Sequence, residues 1–166
     1  MIELRTYEDA DLEAIAKLFY DTVHTVNARD YSPEQLDAWA SPDDHETRMA
    51  AWGHSLRRHI TYVAVTRGCI VGFADLTQEG HLDRLYVHKE AQGQGIATAL
   101  VQKLEAEAIR LKLTEIYTDA SITAKPFFER MGFTVVQSQT VERKGVQLVN
   151  YKMHKSLQSS PGESQV

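Results

Sequence analysis

A single cysteine, Cys69, among 166 residues leaves no partner for an internal disulfide, and a reducing compartment is the natural setting for such a chain. Long apolar runs are missing too: no stretch approaches the roughly 20 residues that a membrane-spanning helix needs, and Met1-Ile2-Glu3-Leu4-Arg5 lacks a secretory-signal pattern. Nor is there a basic excess. The formal net charge of −5 argues against broad neutralisation of nucleic-acid phosphates, so any polyanionic ligand has to be held by local dipoles. No internal repeat or evident linker divides the chain. These absences point to one cytoplasmic domain over residues 1–155, with neither nucleic acid nor membrane as partner. A Ser- and Gln-bearing tail at 156–166 is expected to be disordered. With 43% hydrophobic and 25% charged residues, the chain can bury an ordinary core.

Ile2 to Thr6 reads as a short strand and Asp9 to Val26 as a helix, with Leu12, Ile15, Ala16, Phe19 and Val23 recurring at helical spacing. Tyr31-Ser32-Pro33-Glu34 and Ser41-Pro42-Asp43 both open helices, because a serine can cap and proline fits the first helical position. Tyr62–Arg67, Ile70–Leu76 and Leu82–Val87 are strands separated by Arg67-Gly68 and Glu79-Gly80, an antiparallel meander. A helix along Ile96, Leu100, Leu104, Ala108 and Leu111 follows, then a strand at Glu115–Asp119 and a helix over Thr123–Met131, which Gly132 can terminate. Strands at Phe133–Val141 and Val146–His154 flank a Lys144-Gly145 turn. The expected fold is α+β, a mixed and mostly antiparallel sheet of about seven strands with helices on both faces, in the order β-α-α-β-β-β-α-β-α-β-β.

Gln92-Gly93-Gln94-Gly95-Ile96-Ala97 stands between a strand and a helix. A glycine-bearing turn there leaves main-chain N–H groups unpaired at the positive end of the helix, and missing Cβ atoms let a ligand come close. A phosphate is the natural guest. No Gly-Lys-Ser/Thr follows, which sets aside a Walker loop. A dinucleotide fingerprint fails at its third position, Thr98, and belongs at the first strand–turn–helix unit of a parallel sheet, whereas a meander comes first here.

The same turn, together with Leu85-Tyr86-Val87 before it and Ala124-Lys125-Pro126-Phe127-Phe128-Glu129-Arg130-Met131-Gly132-Phe133 after it, resembles the GNAT acetyltransferase superfamily. Gln92, Gly95 and Ala97 fill its Gln/Arg-x-x-Gly-x-Gly/Ala motif; Ala124, Glu129, Gly132 and Phe133 fill a second. The resemblance covers about residues 1–155 and implies an N-acetyltransferase using acetyl-CoA. It implies that Gln92, Gly93, Gln94, Gly95, Ile96, Ala97 and Thr98 hold the pyrophosphate. The pantetheine arm would lie on Leu85, Tyr86 and Val87, near Ser121 and Phe128, in a splay between the fourth and fifth strands. A main-chain N–H near Val87 would face the thioester oxygen. Members often pair through sheet edges, so a homodimer is compatible with this reading.

Acyl transfer from a thioester to an amine needs positioning, a base, a polarised carbonyl and a proton for the thiolate. His81 and Asp83, two apart at the start of a strand and so on one face, are the candidate bases. A histidine changes charge near neutral pH without tuning. Many relatives carry a tyrosine where this chain has Phe128, and a phenyl ring donates no proton. Either another hydroxyl substitutes, with Tyr117 and Ser121 as the candidates, or solvent supplies the proton, and the sequence leaves the acid unassigned. Asn27, Tyr31 and Asp75 are the expected contacts for the amine acceptor, a small molecule or peptide. Asp75, Glu79 and Asp83 would suit a cation. The histidines show no metal-binding spacing, and Cys69 has no identifiable base, so neither a metal nor an acyl-enzyme is expected. An acyl-CoA-binding sensor, or transfer of another acyl group, are the alternatives.

Overall fold

The computed structural model describes residues 1–157. The chain runs β1 (Glu3–Thr6), α1 (Leu12–Thr25), α2 (Pro33–Trp39), α3 (His45–Arg58), β2 (Ile60–Thr66), β3 (Cys69–Leu76), β4 (His81–Val87), α4 (Ile96–Arg110), β5 (Glu115–Ser121), α5 (Lys125–Arg130), β6 (Thr134–Arg143) and β7 (Val146–Ser156). Three helices separate β1 from β2, one for each helix read in the sequence, where the expected element order counted two. The break is local: Ser41 accepts from the Asp43 N–H at 3.2 Å and starts a 3₁₀ turn at Pro42–Asp44 that feeds α3. The α2 start is a reciprocal cap, in which Ser32 and Gln35 each bond the other's backbone N–H. At the far end β7 includes Ser156, and the Leu157 N–H donates to Thr114 O at 2.8 Å, so the ordered fold passes the expected tail boundary. The rest of that tail, 158–166, lies outside the described residues.

The seven strands lie in the order β1-β2-β3-β4-β5-β7-β6. Every neighbouring pair is antiparallel except β4 with β5, which α4 joins as a crossover. Each face of the sheet carries its own apolar layer. Leu100, Leu104 and Ala108 of α4 pack with Leu82, Ile116, Phe128 and Met153 on one side. Ile15, Phe19 and Val23 of α1, with Leu36 and Leu56, pack on Val63 and Phe73 on the other. Removing that apolar area from water fixes both helical layers onto the sheet. No helix among the described residues is long and apolar enough to cross a membrane.

Candidate active site

The sheet is opened at its centre. β4 and β5 pair only at His81↔Tyr117 and Leu82↔Thr118, and from Asp83 onward the two strands share no rungs. On the other side of β4, Leu82 pairs with Leu76 and Arg84 with Asp75, which leaves Asp83 as the extra residue of a β-bulge. The His88 N–H donates to Val71 O at 2.8 Å, toward β3. Successive residues of an antiparallel strand turn their polar groups to opposite sides, so Leu85 and Val87 turn theirs into the gap.

Where β4 ends, the glycine turn lifts the chain into α4. Gly95, at φ 80 and ψ 10, is the residue before the helix, and Gly93 has φ 76. Both values lie in the left-handed region that favours glycine. A Cβ on either would meet no protein atom within 4 Å, so these positions face open space. No side chain among the described residues caps α4, and its first helical bond runs from the Ala99 N–H to Gly95 O at 3.0 Å. The amides of Ile96, Ala97 and Thr98 therefore lack intrahelical acceptors. The Gln92 amide Nε2 donates back to Val87 O at 2.6 Å and braces the turn against the end of β4.

Splay and turn open into one cleft of about 1010 Å³. The family model of the acetyltransferase (GNAT) domain matches residues 27–155. The chain belongs to the GNAT acetyltransferases. It is 35% identical over 152 residues to the uncharacterized N-acetyltransferase YafP of Escherichia coli (strain K12), covering 92% of this chain and 94% of that protein. The solved GCN5-related N-acetyltransferase "Aminotransferase, Class-II" from Rhodopseudomonas palustris is 37% identical, covers 93% of this chain and 95% of that one, and superposes with a TM-score of 0.87. The fold is shared more distantly by the PaiA N-acetyltransferase of Thermoplasma acidophilum, solved with coenzyme A, at 19% identity and TM-score 0.72 over 94% of this chain and 99% of that one. This GNAT chain is thus an acyltransferase, and acetyl-CoA is the cofactor of GNAT enzymes.

Most of the expected residues meet in the cleft of this GNAT domain: Asn27, Asp83, Leu85, Tyr86, Val87, Gln92, Gly93, Gly95, Ile96, Ala97, Thr98, Ser121 and Phe128. Four do not line it. Gln94 is exposed on the turn. His81 stacks on Tyr117, centroids 4.9 Å apart, with Nε2 at 3.5 Å from Asp119 Oδ2. Tyr31 is buried, its hydroxyl donating to Val149 O at 2.7 Å and accepting from the Ile122 N–H at 2.9 Å. It ties β7 to the end of β5, and burial pushes its ionisation above the ordinary phenol range. Asp75 is 0% exposed, its Oδ2 taken by His59 and Arg84, so it supports the site from beneath and offers an acceptor no surface.

Tyr86 lines the cleft with its ring edge-on to Phe19, and burial pushes its hydroxyl well above its usual range, so it stays protonated at neutral pH. Phe128 is buried against Phe127 and Phe133. Ser121 Oγ accepts the Ala124 N–H at 3.0 Å, which leaves the hydroxyl proton free. Thr22, Arg84 and Asp119 also line the cleft, and the motifs of the sequence do not mark them. A signal for Arg84 is nonetheless present: Asp83-Arg84 puts two charges side by side inside a strand, which breaks the alternation a regular strand requires.

Proposed function

We propose that this enzyme transfers the acetyl group of acetyl-CoA directly to a primary amine of a small molecule or peptide. The observation that carries the reading is the conjunction of an uncapped α4 N-terminus with a sheet that opens immediately beside it. Main-chain amides at 93–98 hold the diphosphate; PaiA, which shares the fold, was solved with coenzyme A. The pantetheine arm lies along the gap-facing groups of Leu85 and Val87, and the Val87 N–H meets the thioester oxygen.

Asp83 is the base this geometry favours. It lines the cleft at the bulge where β4 leaves β5, whereas His81 is engaged with Tyr117 and Asp119 below the opening. Asp83 takes one proton from the substrate ammonium, directly or through one water, and the neutral amine so formed attacks the thioester carbonyl. As the C–S bond breaks, the hydroxyl of Ser121 passes its proton to the departing thiolate and is reprotonated by the second proton that the new amide nitrogen sheds. Phe128 supplies none. The test is thiol release from acetyl-CoA with a panel of amines, on wild type, Asp83→Asn and His81→Ala. Asp83→Asn should lower kcat by about 10²-fold or more, the usual worth of a general base, with coenzyme A affinity unchanged. Wild-type turnover in Asp83→Asn would remove it from the mechanism, and no thiol release with any amine would defeat the assignment of acceptor class.

A further inference from the structure

Arg84 is charged, sits in mid-strand, and keeps only 12% of its side chain exposed. Its guanidinium makes two hydrogen bonds on the α3 side of the sheet. Nη1 donates to Asp75 Oδ2 at 3.0 Å and Nη2 donates to Ser55 Oγ at 2.6 Å. Nη2 also stands 3.3 Å from Asp83 Oδ2, and the group lies 4.6 Å from the centroid of the Trp52 ring. Asp75, wholly buried, has its Oδ2 shared with His59 Nδ1 at 2.8 Å. One planar cation therefore joins β3, α3 and the bulged residue of β4.

This arrangement sits at the bulge. Asp83 has no partner in the β3 ladder, and beyond Leu82 β4 has none in β5. The bulge leaves Asp83 without a residue opposite it, and its carboxylate stands against the buried Arg84 cation. We propose that Arg84 is a positioning residue: anchored by Asp75 and Ser55, it holds the Asp83 carboxylate at the mouth of the splay. This rests on Asp83 acting as base. The donor atoms of His59, Asp75 and Asp83 lie within 4.8 Å of one another, the spacing of a cation site. Arg84 already supplies the positive charge there, bridging both carboxylates. A lysine could not replace it, because a single ammonium cannot reach three separated acceptors in the geometry of a planar fork.

The experiment reads kcat, KM for each substrate and the coenzyme A Kd in Arg84→Lys, in Asp83→Asn, in their combination, and in Asp75→Asn/Arg84→Met. The last variant removes both charges of the buried pair, so it avoids the unpaired charge that a single change would leave inside. Arg84→Lys and Asp75→Asn/Arg84→Met should each lose about 10- to 100-fold in kcat, the scale of a misplaced catalytic group. The coenzyme A Kd should stay within about twofold, because the turn that holds the diphosphate lies apart from the Arg84 contacts. Arg84→Lys added to Asp83→Asn should cost nothing further, the mark of two residues acting through one another. Wild-type kcat in folded Arg84→Lys and in Asp75→Asn/Arg84→Met, or losses that multiply with Asp83→Asn, would overturn the proposal while leaving Asp83 as base. Wild-type kcat in Asp83→Asn overturns both. A uniform loss in kcat and in coenzyme A binding would mark Arg84 as merely structural and also reject the proposal.

Discussion

Replacing Gly95 by alanine separates what the turn does for the fold from what it does for the cofactor. Gly95 has φ +80, and a Cβ there meets no protein atom within 4 Å, so the substitution brings backbone strain without a clash. A left-handed L-residue costs about 1–2 kcal/mol, and at about 2–4 °C per kcal/mol for a chain of this size the melting temperature should fall by about 2–8 °C. The added methyl would occupy the open space beside the α4 amides in which the diphosphate is proposed to sit. One hydrogen bond to a charged group contributes about 1.5–3 kcal/mol, which at about 1.4 kcal/mol per decade weakens coenzyme A about 10- to 150-fold. Gly145 is the matched control: its φ is +77, it is equally unobstructed, and it lies in the β6–β7 turn. Calorimetric titration with coenzyme A, alongside thermal melts, should show the same destabilisation in Gly95→Ala and Gly145→Ala but weakened binding only in the first. Equal coenzyme A affinity in the two variants would refute the placement of the diphosphate at this turn.

Gln92→Ala removes the 2.6 Å brace from Nε2 to Val87 O. It should weaken acetyl-CoA about 2- to 12-fold, the worth of one ordinary hydrogen bond, with kcat little changed; unaltered affinity would mean that the turn needs no brace. Tyr31→Phe strips the hydroxyl that joins Val149 O and the Ile122 N–H. It should cost about 1–3 kcal/mol of stability for leaving buried groups unpaired, while a coenzyme A Kd shifted beyond about twofold would give Tyr31 a part in the cofactor site. The Arg5 guanidinium, bonded to both carboxylate oxygens of Asp11 at 2.8 and 2.9 Å, holds Asp11 below its ordinary value of 3.8. A depressed folded value makes the unfolded state the better proton binder, so this stabilisation is present above 3.8 and disappears as pH falls through the folded value. Asp11→Asn should therefore melt below wild type at neutral pH, with the gap closing in acid; a gap independent of pH would contradict the assignment.

Elements governed by neighbours in the chain are legible in the residues alone. The Ser32 cap with Pro33 behind it, Gly132 closing α5 at φ +95, and the Lys144-Gly145 turn with both residues at positive φ all follow from local sterics and hydrogen bonding. The glycine turn is legible for the same reason. Features that depend on distant partners are not. Asp75 reads in sequence as an acidic strand-end residue, and only the approach of His59 and Arg84 shows it to be an internal anchor. Tyr31 reads as a site aromatic because its two bonding partners are 118 and 91 residues away. His81 and Asp83 look equivalent at two-residue spacing, until pairing with Tyr117 and the bulge at Asp83 set them apart.

By itself the chain of residues determined that there is a glycine turn between a strand and a helix, and that the domain is a mixed sheet between two helical layers. Short-range periodicity, capping and backbone conformation suffice for both. Tertiary structure decided where the sheet opens, which carboxylate faces the opening and which lies beneath it. Those outcomes depend on strand register and on how many rungs β4 forms with β5, and register is settled only when distant strands pair and their side chains are buried together.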